Sequence, residues 1–169
     1  NAIYIQCNSP FPQVEEFIEN ASRKYDLNLI RRKGNIRKAL EELKSSHPRI
    51  QAILMGTRRH DPFSDKLRSF SPTDPGWPEY MRINPILDWS HSDVWSVLRH
   101  CQIEYCSLYD EGYTSLGSSH NTRPNPALKL NDQGTRYKPA YMLEDDSLER
   151  AGRLWYPKCF SVEFKSETF

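Results

Sequence analysis

Two hydrophobic periods alternate along the first hundred residues, and few folds accept that pattern. Ala2-Ile3-Tyr4-Ile5 is a short run of strand formers. After the turn Asn8-Ser9-Pro10-Phe11-Pro12, the residues Val14, Phe17, Ile18, Ala21 and Tyr25 recur at helical spacing. Leu27-Asn28-Leu29-Ile30 predicts a second strand. Gly34 turns the chain, and Asn35 is the expected N-cap of a helix whose apolar face is Ile36, Ala39, Leu40 and Leu43. Ala52-Ile53-Leu54-Met55 is apolar at every position, the mark of a strand covered on both faces, as parallel strands are. Strands joined by single helices need right-handed crossovers, so the expected fold is α/β: an open, mostly parallel sheet with helices on both faces. Ligands in such sheets bind beyond the carboxyl ends of the strands. Gln6 to Pro12 and Gly56 to Pro62 follow the first and third strands, and are therefore expected at the ligand edge.

From Gly56 to Pro85 the residues Pro62, Pro72, Pro75, Gly76, Pro78 and Pro85 interrupt every period; a loop of that length inside a folded domain is usually functional or disordered, and two charged clusters and Trp77 favour function. Ser90 is the expected cap of a helix carrying Val94, Trp95 and Leu98, with Asp93 completing a capping box. A last helix is predicted over Glu144 to Leu154, its three leading acids suited to the positive end of the dipole. The segment 155–169 reads as partly strand-like.

Composition excludes several classes. The 169 residues, 37% hydrophobic and 27% charged, suit one globular domain. Lys and Arg number 23 against 22 Asp and Glu, which leaves no broad basic field for a nucleic acid backbone or an anionic membrane. No apolar run approaches the ~20 residues that span a bilayer. Cys7, Cys101, Cys106 and Cys159 lack zinc-site spacing and read as free thiols in a reducing compartment. Cys101 and Cys106 beside His100 could form half a metal site, but a helix-end pair of small buried residues is the simpler reading.

Three clusters carry possible chemistry. Arg58, Arg59 and Asp61 leave the third strand together, where guanidiniums can grip phosphate oxygens and the carboxylate can hold Mg²⁺ or fix an arginine. A solvated Arg–Asp turn accounts for them about equally well. Asp74 and Trp77 put a carboxylate and an indole in one stiff loop, suited to a flat aromatic ligand, although a surface turn with a half-buried Trp is the commoner arrangement. Arg150 and Arg153 share a face at helical spacing and repel unless an anion lies between them; a solvated basic helix end is the alternative. Neither G-x-x-x-x-G-K-[ST] nor G-x-G-x-x-G occurs.

Five strings in order settle on one resemblance: GTRRHDPFS from Gly56, SPTDPGWPEYMRINPILDW from Ser71, LYDEGYTSLGS from Leu108, NPAL from Asn125 and ERAGR from Glu149. Together with IYIQCNSPFPQVEEFI from Ile3, they make the chain similar to the eukaryotic FAD synthases, FMN adenylyltransferases of the phosphoadenosine-phosphosulfate-reductase-like ATP pyrophosphatases. The resemblance implies a Rossmann-like, adenine nucleotide alpha hydrolase-like domain over residues 1–169, transferring AMP from MgATP to FMN to give FAD and pyrophosphate. It implies phosphate and Mg²⁺ contacts at Arg58 and Asp61, flavin contacts at Asp74, Trp77 and Arg82, and reacting phosphates at Arg150 and Arg153. Adenine is expected near Gln6, Cys7, Met55 and Gly56. The implied partners are small molecules, with no nucleic acid or membrane, and the implied protein is a monomer or weak oligomer of the cytoplasm, with a mitochondrial isoform conceivable. The family's glycine-rich SGGKD-like phosphate loop does not occur in these residues, so an upstream strand, loop and helix are expected before Asn1. The competing expectations are a sulfonucleotide reductase, a tRNA-modifying relative, or a non-catalytic flavin- or nucleotide-binding module. A reductase would need a reactive cysteine in a flexible tail, whereas Cys159 stands among Trp155, Tyr156 and Phe160, a packed-looking context.

Overall fold

The computed structural model describes residues 1–131 and 136–154. Cys159, and the strand-like reading of the segment that contains it, lie outside them. In chain order the elements are β1 (Ala2–Gln6), α1 (Pro12–Lys24), β2 (Leu29–Lys33), α2 (Ile36–Ser46), β3 (Ala52–Leu54), β4 (Phe70–Pro72), β5 (Met81–Ile83) and α3 (His91–His100). Single 3-10 turns follow at Ser107–Tyr109, Pro126–Leu128, Ala140–Met142 and Asp146–Leu148. Among the described residues no helix is long and apolar enough to cross a membrane.

β1 pairs with β2 in parallel, Ile3 opposite Ile30, with α1 as the crossover. β3 pairs in parallel with β5, and β4 lies antiparallel on the far side of β5. The pairing is thus mostly parallel, as expected, but it forms two small sheets, β1-β2 and β3-β5-β4.

Several boundaries moved. β2 runs past Ile30 into Arg31, Arg32 and Lys33, because acids on the neighbouring helices neutralise the cations there: Arg31 pairs with Glu15 and Glu19, and Arg32 with Glu42 at 3.2 Å. Tyr25 caps α1 and is 55% exposed, so it is no part of the buried face. β3 is three residues long and among the described residues pairs with β5 alone, which leaves Leu54 74% exposed; continuous apolarity there does not mean cover on both faces in this structure. The proline-rich stretch contains a hairpin, β4-β5. Pro72 is compatible with it because β4 is an edge strand and needs no outward N–H.

Helix entry follows the sequence closely. Asn35 Oδ1 accepts the backbone N–H groups of Arg37 at 2.8 Å and Lys38 at 3.3 Å. Ser90 and Asp93 form a reciprocal capping box on α3. Phe11, Cys106 and Leu108 form a core into which Val14 and Phe17 of α1 pack, with Tyr113 edge-on to Phe11. Trp95 of α3 gathers Tyr105, Tyr109 and Tyr141 around its ring in edge-to-face contacts. Cys106 is buried but Cys101 is exposed, so the two are not a buried pair. No three metal-ligating side chains cluster among the described residues.

The predicted helix over Glu144 to Leu154 does not form. The segment is a 3-10 turn at Asp146–Leu148 followed by tight turns, with Ala151 N–H bonded to Leu148 O and Arg153 N–H to Arg150 O. Two of the carbonyls a helix would use are taken by side chains from elsewhere. Asn125 Nδ2 donates to Leu148 O at 2.8 Å, and Thr114 Oγ1 donates to Glu149 O at 2.6 Å. Gly152 seals the arrangement, since a Cβ there would overlap the Arg123 carbonyl oxygen.

Candidate functional site

The turn after β3 is held from within and from afar. Asp61 Oδ2 accepts the Arg58 backbone N–H at 2.9 Å, while Arg58 Nη2 donates to both carboxylate oxygens of Glu149 at 2.6 Å. Burial would pull the Arg58 pKa down, but the Glu149 hydrogen bond and charge, aided by Asp61, outweigh it and hold the guanidinium above its usual value. Only Nη2 is engaged in this way; Nε and Nη1 make no hydrogen bond among the described residues. Arg59 turns away. It clamps Asp88 at 2.6 Å and donates to Leu67 O, fastening the loop that leads to β4.

On the hairpin, Pro75 and Gly76 occupy the corner between Asp74 and Trp77, with Gly76 at φ 82, the left-handed corner that glycine accepts without strain. Trp77 N–H bonds back to Asp74 O at 3.1 Å. Arg82 donates to both Asp74 oxygens, at 3.1 and 3.5 Å, and to Pro72 O at 2.7 Å. The Asp74 carboxylate is thereby fixed on one side and remains 60% exposed on the other.

The Glu149 to Arg153 segment differs in kind. Arg153 Nη1 donates to Leu116 O at 2.8 Å and lies 3.4 Å from Ser115 Oγ, and no carboxylate pairs with it among the described residues. Its Nε is buried without a partner. Burial, and next the Arg150 charge, pull its pKa below the usual arginine value, so its positive charge is poorly compensated. Arg150 is exposed, and no acid pairs with it among the described residues. The two arginines do interact, though through a turn and not along a helix face.

Gln6 ends β1 and Cys7 follows it, while Met55 and Gly56 follow β3. β1 and β3 belong to different sheets, and no hydrogen bond joins these two pairs. Gln6 donates to Glu15, Cys7 is exposed, and a Cβ on Gly56 would meet nothing within 4 Å. Sequence reasoning assigned no role to Glu149, Thr114 or Asn125. Asn125 is fully buried and satisfied, donating to Thr114 Oγ1 and Leu148 O and accepting from Ala127 N–H. Its one sequence signal was the Asn-Pro turn at the head of NPAL.

The described residues thus form a mostly parallel α/β domain that carries two arginines without an acid and a hairpin bearing a fixed carboxylate. Residues 1–124 match the phosphoadenosine phosphosulfate reductase domain, and the chain belongs to that family. Within the family it is similar to a probable FAD synthase of Schizosaccharomyces pombe, 48% identical over 151 residues that cover 89% of this chain and 56% of that protein. The chain therefore spans little more than half the length of that relative. It is also similar to Candida glabrata FMN adenylyltransferase in complex with FMN and the ATP analog AMPCPP, with a TM-score of 0.85 and 29% identity over 89% of this chain and 68% of that one. The same yeast enzyme in complex with FAD and inorganic pyrophosphate gives a TM-score of 0.85 with the same coverage.

Proposed function

We propose that this chain forms most of an FMN adenylyltransferase, joining AMP from MgATP to FMN to give FAD and pyrophosphate. The observation that carries the reading is Arg153: half-buried, anchored on a carbonyl, beside a second arginine and with no acid paired to it among the described residues, it is suited to receive an anion. The likeness to a yeast enzyme solved with FMN and an ATP analog supports the choice of anions.

In this reading a phosphate oxygen of FMN attacks the α-phosphorus of ATP, and the bond to pyrophosphate breaks. No covalent enzyme intermediate is needed; positioning and charge neutralisation do the work. Two unit charges ~4 Å apart at an effective dielectric of about 20 repel by roughly 4 kcal/mol. Arg150 and Arg153 offset that repulsion at the transferring group. Arg58 serves the same edge through the Nε and Nη1 donors that Glu149 leaves free. Asp74, held by Arg82, accepts an N–H of the flavin ring, and Trp77 stacks on that ring. Gln6, Cys7, Met55 and Gly56 line the adenine side. Asp61 fits Mg²⁺ as one carboxylate ligand beside substrate phosphates, which is how that ion is usually held. There the ion would neutralise phosphate charge.

The SGGKD-like loop of the family is no part of these 169 residues, so the assay uses the protein at its full natural length. Wild type mixed with FMN and MgATP should yield FAD and pyrophosphate in equal amounts. Arg153→Ala should lower kcat by about 10²-fold or more with flavin affinity little changed, because the charge it meets grows in the transition state. Absence of FAD from wild type rejects the reading, and a loss confined to KM removes Arg153 from the reacting phosphates.

A further inference from the structure

Gly117 stands in the LYDEGYTSLGS string, and its backbone is not in the left-handed region, so conformational freedom does not explain it. The space around it does. A Cβ at this position would lie 2.5 Å from Arg153 Cζ and 2.9 Å from Nη1, and closer still to Nη2. The guanidinium thus fills the space that a side chain at this position would need, next to the Leu116 carbonyl that holds Nη1 at 2.8 Å.

We propose that Gly117 is a positioning residue for Arg153: the missing side chain creates the shelf on which the guanidinium lies, uncompensated and facing the transferring phosphate. The inference rests on the adenylyl-transfer reading above.

The geometry separates Gly117 from the glycine beside Arg153. At Gly152 an added Cβ meets a backbone carbonyl, which cannot move without disturbing the Thr122–Arg153 bridge. At Gly117 the three atoms nearest to it all belong to the far end of one flexible side chain. Gly117→Ala therefore leaves the fold intact and evicts the guanidinium from its shelf. Eviction costs catalysis, because a displacement of about 1 Å in a charge-stabilising group costs on the order of 10²-fold in rate.

The test uses the full-length protein and four forms: wild type, Gly117→Ala, Arg153→Ala and the double variant. Turnover is measured with FMN and MgATP, flavin affinity by fluorescence titration, and Tm by thermal unfolding. Gly117→Ala should keep its Tm within about 2 °C and its flavin affinity near wild type, while kcat falls roughly 10- to 100-fold. The double variant should be no slower than Arg153→Ala alone, since the glycine acts only through the arginine. Rate losses that multiply in the double variant overturn the proposal, as does wild-type turnover in Gly117→Ala while Arg153→Ala is impaired. A large fall in Tm shared by Gly117→Ala and the double variant also overturns it, because the Cβ would then be meeting backbone. Wild-type turnover in Arg153→Ala overturns it too, by removing Arg153 from the reacting phosphates, whereas absence of FAD from wild type sinks the adenylyl-transfer reading on which the proposal stands.

Discussion

Asp74 shows how one residue acquires a role from its neighbours. A lone carboxylate in a proline-rich turn is free to rotate, but Arg82 grips both of its oxygens while leaving it 60% exposed. What remains is an acceptor aimed outward at fixed geometry, pre-organised so that little entropy is lost when a ring N–H arrives. Asp74→Ala should weaken flavin capture about tenfold, the worth of one charge-assisted hydrogen bond, without a general loss of ATP affinity. Flavin fluorescence titration measures the first and nucleotide titration the second; an unchanged flavin affinity takes Asp74 out of the site. Asp74, Trp77 and Arg82 could be proposed together from the sequence because a single string holds all three. Glu149 was not, since its meaning depends on Arg58, a residue remote in the chain that only folding brings to it.

Among elements, α3 combines a cap readable in advance with a buried contact that was not. Ser90 and Asp93 begin the helix as their spacing predicts. At the first helical position, His91 is buried, accepts the Trp95 Nε1 proton on its own Nε2 at 2.9 Å, and holds Nδ1 3.6 Å from Asp146. Burial pulls its pKa below 6.5, against the opposing charges of Glu149 and Asp146 and with Arg58 adding to the decrease. His91 is therefore neutral in the folded protein at pH values where the unfolded chain already binds a proton. The unfolded state holds more protons in that window, so stability rises with pH through it and falls as pH drops from about 6.5 toward the depressed value. Urea midpoints measured from pH 7.5 down to 5 should show that loss. His91→Gln, which keeps an acceptor for Trp95, should flatten it; equal slopes for both proteins would mean that His91 is not the group responsible. The last predicted helix failed at the same scale. Propensity favoured it, but Thr114 and Asn125 offered its carbonyls better partners than its own N–H groups could.

Across the whole molecule, the Arg58–Glu149 pair joins residues 91 apart and ties the turn after β3 to the ERAGR segment. Its side chains are 11% and 17% exposed, so each charge has lost most of its water and depends on the other. Glu149→Gln should destabilise the protein by about 1–3 kcal/mol, less than a fully buried pair because some solvent reaches both groups. The double change Arg58→Met with Glu149→Leu should cost less than the sum of the two single changes, since no charge is left stranded. Denaturant unfolding of the four proteins provides the cycle; strict additivity would mean that the pair is merely adjacent.

The alternation of periods, the helix caps and the long strings were enough to specify an α/β domain, its parallel pairing and the family to which it belongs. The periods and caps depend on neighbours within one or two turns of chain, where local sterics and hydrogen bonding decide, and the pairing follows from them because a single crossover helix leaves successive strands parallel. Tertiary structure alone decided that the pairing divides between two sheets, that Arg153 lies on a glycine with no acid beside it, and that Glu149 faces Arg58. Those outcomes follow from competition for buried hydrogen-bond partners and for space between segments far apart in sequence, and no local pattern records which competitor wins.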